Sequence, residues 1–499
     1  MIWTKDSLKL LVKEKLEDYL FIAVSHREPY LHHNDKGKIF CRRTTGGVVT
    51  ALDSVMRACG GIWMAYASGS ADFQVVSPEG FVQVPKDSSD AYLLKRIFLS
   101  KEEIEGYYLG YANSALWPLC HTAFKRPEFV QKHWEVYQSV NQKFAKEIIS
   151  QIGDRKAFIW IQDYHFSLLP KYLREMAQSQ IFIAQFWHIP WPSYETFRIC
   201  PQKLELLQGL LSNDLLGFNI QYHCNNFFDV VNREVECKVN LETYSVMYGG
   251  HETHVRSYPV SIDFEEIQKT AGNPEQESKK NDLVEQFGLA GQKIVFGLDR
   301  IDYTKGIPER LLAIDRFFEK FPEFKEKVVF LQVGVVSRIH LKEYKMLNEE
   351  LNILVEQINW RHSTGQWKPV VLVRRELSYQ EVLSFCRLAD ICLVSSLHDG
   401  MNLVGKEFIA ASRPDKGMLV LSQFTGAARE LPDAILINPY DREQFSDGIF
   451  QALTMPESER RERMKRLQSV LSENNVYQWA GKVITEMLTI DYKKQGLSP

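Results

Sequence analysis

The stretch LVSSLHDGMNLVGKEFI, residues 393–409, defines a local fold more clearly than any other part of the chain. It continues an apolar run, Ile391 to Val394, which is typical of a buried strand. A polar turn with Asp399 and Gly400 follows, and apolar residues at helical spacing begin near Leu403. The pattern therefore predicts a strand, a tight loop and a helix, whose N-terminus favours an anion such as a diphosphate.

Two carboxylates accompany this predicted anion site. Asp399 lies in the loop, and Glu407 lies about one turn into the helix. One of them can accept hydrogen bonds from sugar hydroxyls, and the other from a ribose. An ordinary strand–helix turn with an aspartate cap stays open as the alternative.

The same plan recurs along the chain. Short apolar strands end in polar or ionisable residues just where a helical pattern begins, which predicts an α/β fold with parallel sheets and ligands at the carboxyl ends of the strands. The predicted strands cover residues 19–25, 61–66, 157–162, 181–187, 213–218, 293–298, 328–333, 370–373, 417–422 and 434–438.

Three segments depart from this plan. Residues 74–100 alternate and predict a hairpin at a sheet edge. Residues 30–47 are expected to form a polar loop that ends in Gly46 and Gly47, where a ligand can approach the backbone closely. Residues 105–117 are rich in aromatic side chains, which indicates either packed core or a surface that stacks on a sugar.

Length and composition limit the protein class. A chain of 499 residues, 45% hydrophobic and 25% charged, exceeds one ordinary domain, and we place the junction at the polar segment 268–284. The net charge of −3 gives no sign of a nucleic-acid partner. Eight cysteines without a CxxC pair, a charged N-terminus and no long apolar stretch predict a cytoplasmic protein without a membrane span.

Arg300 and Lys305 form a candidate phosphate-binding site. They lie five residues apart across a turn that ends with Gly306. Arginine binds a diphosphate with two parallel hydrogen bonds and lysine adds a point charge, although solvated surface charge is the open alternative. No HExxH, GxSxG, Walker or GxGxxG motif occurs, so metalloprotease, hydrolase, P-loop kinase and Rossmann dehydrogenase hypotheses lose support.

Several motifs occur together and in order, and through them the chain resembles trehalose-6-phosphate synthases, the retaining glycosyltransferases of family 20. The motifs are Asn113-Ser-Ala-Leu-Trp-Pro118, Asp163-Tyr-His165, His188-Ile-Pro-Trp-Pro192, Asp299-Arg-Ile-Asp-Tyr-Thr-Lys-Gly306 and Asp399-Gly-Met-Asn-Leu-Val-Gly-Lys-Glu407. The resemblance runs from about Phe21 to about residue 485. It implies the GT-B architecture, in which two Rossmann-like domains face a cleft.

With the resemblance, we expect four segments. Residues 1–18 form a helical extension and residues 19–262 an acceptor-binding domain. Residues 263–480 form a nucleotide-sugar-binding domain. Residues 481–499 form a helix and tail, for which a return to the N-terminal domain is left open.

The resemblance also assigns roles to individual residues. The catalytic residues it implies are Arg300, Lys305, Asp399 and His188, of which the last two bind hydroxyls of the transferred glucose. The donor residues it implies are Gly47, Arg300, Lys305, Asp399, Gly400, Met401, Asn402, Leu403 and Glu407. The acceptor residues it implies are Arg27, Tyr108, Trp117, Asp163, Tyr164 and Arg338. A structural role for His188 at its strand end is the alternative.

The implied reaction transfers glucose from a nucleoside-diphosphate glucose to glucose 6-phosphate and gives trehalose 6-phosphate. The family retains configuration without an obvious protein nucleophile, and the acceptor hydroxyl loses its proton to the departing phosphate oxygen. Arg300 and Lys305 would stabilise the leaving diphosphate. The nucleotide-sugar is a substrate, so we expect no cofactor and no metal. The expected partners are small molecules, with a homo-oligomer left open.

Four positions depart from the family pattern, namely His26, Tyr66, Ser261 and His398, where the family has Asn, Trp, Gly and Arg. Three of them concern the acceptor side or the hinge, so the acceptor stays open. The segment from His26 to Tyr30 favours a related branch that uses glycerol 3-phosphate, whereas Tyr108, Trp117 and the complete Asp163-Tyr164-His165 favour a sugar phosphate. The donor base stays open, and a catalytically silent sugar-phosphate sensor is the alternative of another class.

Overall fold

The structure is a computed structural model and describes residues 3–44, 46–336, 338–375 and 377–494. Its strands are β1 Tyr19–Arg27, β2 Tyr30–Asp35, β3 Lys38–Arg43, β4 Ile62–Tyr66, β5 Phe81–Val84, β6 Tyr92–Ile97, β7 Lys156–Gln162, β8 Ile181–Trp187, β9 Leu215–Phe218, β10 Lys238–Asn240, β11 Ser245–Tyr248, β12 His251–Ser257, β13 Lys293–Arg300, β14 Val328–Val335, β15 Val370–Val373, β16 Ile391–Val394, β17 Met418–Ser422 and β18 Ile435–Ile437.

The α-helices alternate with these strands over most of the chain. They are α1 Lys5–Lys15, α2 Gly47–Cys59, α3 Asp72–Val75, α4 Lys101–Glu103, α5 Trp117–His121, α6 Gln131–Ile152, α7 Leu169–Met176, α8 Tyr194–Phe197, α9 Lys203–Leu210, α10 Gln221–Glu234, α11 Phe264–Ala271, α12 Pro274–Phe287, α13 Ile307–Lys320, α14 Lys342–His362, α15 Tyr379–Leu388, α16 Leu403–Ala411, α17 Arg442–Thr454, α18 Glu457–Glu473 and α19 Val476–Lys494.

The larger sheet has ten strands in the order β10-β11-β12-β9-β8-β7-β1-β4-β6-β5. From β12 to β6 all neighbours run parallel, and antiparallel strands add to both edges. Its central strands are buried over nearly their whole length, as continuous apolar runs predict. Because β1 pairs with both β4 and β7, the strand order reverses there, and parallel α/β sheets bind ligands at the carboxyl ends of the strands at such a point.

The smaller sheet has six parallel strands in the order β15-β14-β13-β16-β17-β18. The strand order reverses between β13 and β16, so the loops that leave their carboxyl ends diverge to opposite faces of the sheet. The predicted α/β class, with two parallel sheets of similar plan, is confirmed.

Contacts group the chain into two compact units, Met1–Val260 with Val476–Pro499, and Ser261–Asn475. The division falls beside the junction that we predicted after residue 262. Helix α19 joins the first unit, where Trp479 packs on Trp160 with ring centroids 4.8 Å apart and Glu486 pairs with Arg256 at 2.8 Å. The last five residues of the predicted tail lie outside the described residues.

Three local predictions were wrong or incomplete. The expected loop 30–47 contains the antiparallel pair β2–β3, and the expected linker 268–284 lies mostly in α11 and α12. The aromatic segment forms a π-helix, Ile104–Leu116. In it the Asn113 side chain donates to the Tyr108 carbonyl at 2.6 Å, and Ser114 donates to Leu109 at 2.8 Å. Both bonds reach back five residues, which supports the wider turn. The hairpin predicted within 74–100 is confirmed as β5–β6.

None of the helices in the described part of the chain combines the length and the apolar character that crossing a membrane requires.

A buried ionic cluster fixes the end of β1 against the neighbouring strands. The Arg96 guanidinium lies 2.8 Å from Glu28 and 2.8 Å from Asp72, and all three side chains are buried. Glu28 also accepts from the backbone N–H of Ser68 at 2.7 Å. Burial and the hydrogen bond with Asp72 raise the pKa of Glu28 to about 8. Glu28 thus has a structural role, although it belongs to a segment that departs from the family pattern.

We expect Arg96→Met to destabilise the first unit by about 3–5 kcal/mol, because it leaves two buried carboxyl groups without their cation. Arg233→Met is the control, since Arg233 pairs with Asp229 on the surface and its loss should leave the free energy of unfolding nearly unchanged. Urea unfolding followed by tryptophan fluorescence measures both. A loss below about 1 kcal/mol for Arg96→Met would contradict a structural role for this cluster.

Candidate active site

The loops after β13 and β16 meet through an ion pair in the second unit. Lys305 Nζ lies 2.6 Å from Asp399 Oδ2, and both side chains are mostly buried. Arg300 is the last residue of β13, so it lies at the start of the same loop. The structure therefore brings Lys305 and Asp399, which lie in two separate motifs of the sequence, into direct contact.

Close packing holds these two loops together. Ser395 Oγ donates a hydrogen bond toward the carbonyls of Lys305 and Gly306, at 3.0 and 2.9 Å. Gly306 has φ +60°, and a Cβ atom there would lie 2.2 Å from the Ser395 carbonyl oxygen. A residue with a side chain would thus separate the loops, which explains the glycine.

The loop 399–402 is stabilised by its own polar groups. Asp399 Oδ2 accepts from Ser396 Oγ at 3.1 Å and from Asn402 Nδ2 at 3.3 Å. Asn402 has φ +82° and caps α16, because its side-chain oxygen accepts from the backbone N–H of Gly405 at 3.1 Å. Leu403 is the first residue of that helix, so its backbone N–H lies at the positive end of the helix dipole. Gly400 and Met401 are buried in the same loop.

Glu407 lies in the second turn of α16 and is largely buried. Burial raises the pKa of its carboxyl to about 7. A carboxylate with this environment gains from any hydroxyl that donates to it, so it suits the ribose that the sequence assigned to it.

Arg338 lies in the second unit, whereas five of the six predicted acceptor residues lie in the first. Its guanidinium donates to the Tyr344 hydroxyl at 2.7 Å and lies 3.4 Å from Asp302 Oδ2. Burial would raise the pKa of Asp302, but the charges of Arg338 and Arg300 outweigh burial and hold this pKa at about 2.

In the first unit, Asp163 follows β7 and connects two strand ends. It has φ +72°, and its Oδ1 accepts from the backbone N–H groups of Tyr164 at 3.0 Å and of His188 at 3.2 Å. His188 follows β8, so this carboxylate fixes the crevice side of two neighbouring strands.

The ring of His188 is buried and neutral. Burial lowers its pKa to about 3. Its Nε2 lies 2.8 Å from Gln162 Oε1, which makes Nε2 the protonated nitrogen. Its Nδ1 is buried and has no hydrogen-bond partner within the described ranges.

Tyr108, Trp117 and Tyr164 belong to one aromatic cluster. Tyr164 donates from its hydroxyl to Asn113 Oδ1 at 2.9 Å, and Asn113 holds the Tyr108 carbonyl. The rings of Trp117 and Tyr164 lie 5.9 Å apart. The π-helix therefore brings three predicted acceptor residues together.

Two of the positions that depart from the family pattern contact each other. The His26 ring stacks on Tyr66 with centroids 5.5 Å apart and planes 18° apart, and on Tyr108 at 4.0 Å and 14°. The sequence showed both departures but not their contact.

Arg27 and Gly47 lie on either side of β2 and β3. Arg27 is the exposed last residue of β1, and a Cβ atom on Gly46 would lie 3.9 Å from its guanidinium. Gly47 is the first residue of α2, so Arg27 lies close to a helix N-terminus.

Each unit therefore holds its own set of the predicted residues. The first holds Arg27, Gly47, Tyr108, Trp117, Asp163, Tyr164 and His188, and the second holds Arg300, Lys305, Arg338, Asp399, Gly400, Met401, Asn402, Leu403 and Glu407.

Sequence reasoning gave no role to several buried polar residues beneath these sites. Arg310 contacts Asp299 at 2.8 Å, Gln332 at 2.6 Å and Ser395 at 3.0 Å, and so joins β13, β14 and the loop after β16. A polar residue on the apolar side of a helix is a weak signal, but it could have drawn attention to Arg310 in α13. Over the described ranges, no group of three or more His, Cys, Asp or Glu side chains is arranged to hold a metal ion.

Comparison with known proteins agrees with this geometry. The family model of glycosyltransferase family 20 matches residues 19–489. The chain is 34% identical over 479 residues to the UDP-forming α,α-trehalose-phosphate synthase of Pichia angusta, an alignment that covers 94% of this chain and 99% of the relative.

Solved structures are similar over the same length. One is the UDP-forming α,α-trehalose-phosphate synthase from Burkholderia xenovorans in complex with glucose-6-phosphate, with a TM-score of 0.84, 28% identity and coverage of 94% of this chain and 99% of that one. Another, from E. coli and bound with UDP-2-fluoro glucose, has a TM-score of 0.82, 28% identity and coverage of 94% and 98%. The chain belongs to glycosyltransferase family 20 and is a glycosyltransferase.

Proposed function

We propose that this chain transfers glucose from UDP-glucose to glucose 6-phosphate, with retention of configuration, and releases UDP and trehalose 6-phosphate. The observation that carries the proposal is the ion pair of Lys305 and Asp399 at the switch point of the second sheet. It places a cation for a diphosphate beside a carboxylate for a sugar hydroxyl. The UDP-forming relative and the structures bound with UDP-2-fluoro glucose and with glucose-6-phosphate support the choice of substrates.

The second unit would bind the donor. Arg300 and Lys305 contact the diphosphate, and the first-turn N–H groups of α16 add the positive end of a helix dipole. Glu407 accepts from the ribose hydroxyls, which relieves the cost of its burial. Asp399 accepts from a hydroxyl of the glucose, and the N–H-rich loop 400–402 encloses the phosphate side.

The bond-breaking step would depend on charge stabilisation rather than on a protein nucleophile. As the bond from the anomeric carbon to the phosphate oxygen breaks, negative charge grows on the diphosphate, and Arg300 and Lys305 stabilise that charge. The acceptor hydroxyl attacks from the same face and gives its proton to the leaving oxygen. Since the two side chains supply the positive charge, we propose that the reaction needs no metal ion, and full activity in EDTA tests this.

The first unit would contribute most of the acceptor contacts. Arg27 pairs with the phosphate of glucose 6-phosphate, and Tyr108 and Trp117 pack against the sugar. Asp163 and Tyr164 fix the neighbouring loop. The neutral His188 accepts a hydrogen bond at Nδ1 from a hydroxyl of the transferred glucose. His188 therefore orients the sugar and does not act as an acid.

One observation favours a second candidate acceptor, glycerol 3-phosphate. The His26 ring covers Tyr108 at 4.0 Å, so one face of a predicted sugar-packing ring is occupied. A smaller acceptor needs less of that surface. The two candidates share the phosphate contact and the donor site, and they differ in product mass.

Turnover assays separate these candidates. With glucose 6-phosphate as acceptor, we expect release of the nucleoside diphosphate to be faster from UDP-glucose than from GDP-glucose or ADP-glucose, with a product of the mass of trehalose 6-phosphate. Turnover with glycerol 3-phosphate alone would assign the second candidate. Binding of UDP-glucose without turnover of either acceptor would indicate a sensor and contradict the proposal.

We expect Arg300→Ala to lower kcat by about a hundredfold or more, because the leaving diphosphate loses a bidentate contact. Arg316→Ala is the matched control, since Arg316 pairs with Glu319 and Glu443 on the surface of the same unit and should leave kcat within about twofold of wild type. Steady-state UDP release and thermal melts measure activity and folding. Near-normal kcat in Arg300→Ala would remove Arg300 from the diphosphate site.

We expect Glu407→Gln to weaken UDP binding but to stabilise the fold above pH 7. The pKa of Glu407 in the folded protein, about 7, exceeds the ordinary pKa of a glutamate. The contribution of this carboxyl group to stability is therefore present at low pH and is lost as the pH rises through 7. Glutamine avoids that loss, which amounts to about 3 kcal/mol at pH 8.

Urea unfolding of Glu407→Gln at pH 8 and pH 5 tests this cost of burial. The gain over wild type should shrink as the pH falls toward 4.5. Glu443→Gln, at an exposed carboxylate, should show no such gain. A pH-independent difference would show that Glu407 is ionised at no cost in the folded protein.

A further inference from the structure

Asp302 is a fully buried carboxylate in the loop after β13. Its Oδ1 accepts from the backbone N–H and the hydroxyl of Thr304, at 3.0 and 2.9 Å. Its Oδ2 accepts from the Tyr344 hydroxyl at 3.0 Å and lies 3.4 Å from the Arg338 guanidinium. One oxygen therefore faces the loop that carries Lys305, and the other faces Arg338.

The charges around Asp302 are unbalanced. Arg338, Arg300 and Lys305 all lower its pKa, which lies at about 2 although burial acts in the opposite direction. The carboxylate is thus ionised at any working pH. Since Lys305 also pairs with Asp399, three cations face two carboxylates here, an arrangement that suits phosphate groups.

A first branch of hydrogen bonds runs from Asp302 through Tyr344 to Arg338, and its geometry is well constrained. Arg338 has φ +50°, a conformation that a residue with a long side chain rarely adopts, so the surroundings must hold it there. Its guanidinium is almost wholly buried and donates to Tyr344, which in turn donates to Asp302. Tyr344 therefore links the Asp302 carboxylate to the Arg338 guanidinium.

The branch to Lys305 runs through the backbone. Asp302 caps the short 3-10 helix Tyr303–Lys305, and the backbone N–H of Lys305 donates to the Asp302 carbonyl at 3.0 Å. The Thr304 carbonyl accepts from the N–H of Leu397 at 2.8 Å, which ties this turn to the loop that carries Asp399.

We propose that Asp302 is a positioning residue that orients Lys305 for the donor diphosphate through Thr304, and Arg338 for the acceptor phosphate through Tyr344. The inference rests on the proposed function for the role of Lys305, and on the acceptor role that the family resemblance implies for Arg338. It adds that one buried acid sets the geometry of both cations through two separable branches. Asp302 itself contacts neither substrate.

Two isosteric substitutions separate the branches. Tyr344→Phe removes the bridge to Arg338, and we expect the KM for glucose 6-phosphate to rise about tenfold while the KM for UDP-glucose stays within about twofold. Thr304→Val removes one bond to Asp302 on the other branch, and we expect the opposite pattern. Asp302→Asn should raise both KM values and lower kcat.

Asp315→Asn is the matched control for loss of a carboxylate, because Asp315 pairs with Arg361 and His362 in the same unit. It should change neither KM. The positioning role would be overturned if Tyr344→Phe and Thr304→Val changed both KM values equally. It would also be overturned if these variants lost only kcat, in proportion to a fall in the melting temperature. Lower KM values in Asp302→Asn would also overturn it, since they would mean that Asp302 merely neutralises charge.

The wild-type assay distinguishes failure of this inference from failure of the proposed function. Wild-type turnover of UDP-glucose with glucose 6-phosphate, combined with unchanged KM values in both branch variants, would refute this inference and leave the proposed function intact. Wild-type protein that does not turn over these substrates would refute the proposed function itself.

Discussion

The ion pair between Lys305 and Asp399 is the interaction on which the donor half depends. The two residues lie 94 positions apart and meet because β13 and β16 are neighbouring parallel strands whose loops leave at the same edge of the sheet. Those loops diverge at the switch point, so something must hold their first turns together. The ion pair does so with Ser395, whose hydroxyl lies close to two carbonyls of the opposite loop, and with Gly306, which permits the approach.

The second unit places charge where it lowers stability. Glu407 and Asp302 are buried carboxylates, and a buried charge is unfavourable unless hydrogen bonds or counter-charges compensate it. Asp302 is compensated within the protein, by Arg338, Tyr344 and Thr304. For Glu407 the compensation would come from the ligand, so binding and folding are linked at this residue. Such a carboxylate is expected at a site that selects for hydroxyl groups rather than at a structural ion pair.

The sequence predicted the strands and the loop positions well because continuous apolar runs and the polar residues behind them are local signals. The strand–loop–helix around Asp399 is one example, since each part depends on residues within two turns of one another. The contact of Lys305 with Asp399 depends on strand order, which no local pattern contains. Arg338 shows the same limit, because the motif pattern assigned it to the acceptor without showing its partners Asp302 and Tyr344.

Other differences have equally physical causes. The π-helix Ile104–Leu116 depends on side-chain bonds from Asn113 and Ser114 to carbonyls five residues earlier, whereas helical periodicity assumes four. The pair β2–β3 has exposed or half-buried side chains at all positions but one, so it lacks the apolar alternation by which strands are recognised. The stacking of His26 on Tyr66 joins two positions that looked independent in the sequence.

The most direct measurement is NMR analysis of the product formed from UDP-glucose and glucose 6-phosphate, with UDP release quantified in the same sample. We expect one UDP for each disaccharide phosphate and an α,α-1,1 linkage, because the leaving diphosphate is stabilised by Arg300 and Lys305 while the acceptor attacks the same face. A β linkage at the transferred glucose, or release of UDP with free glucose as the main product, would contradict it.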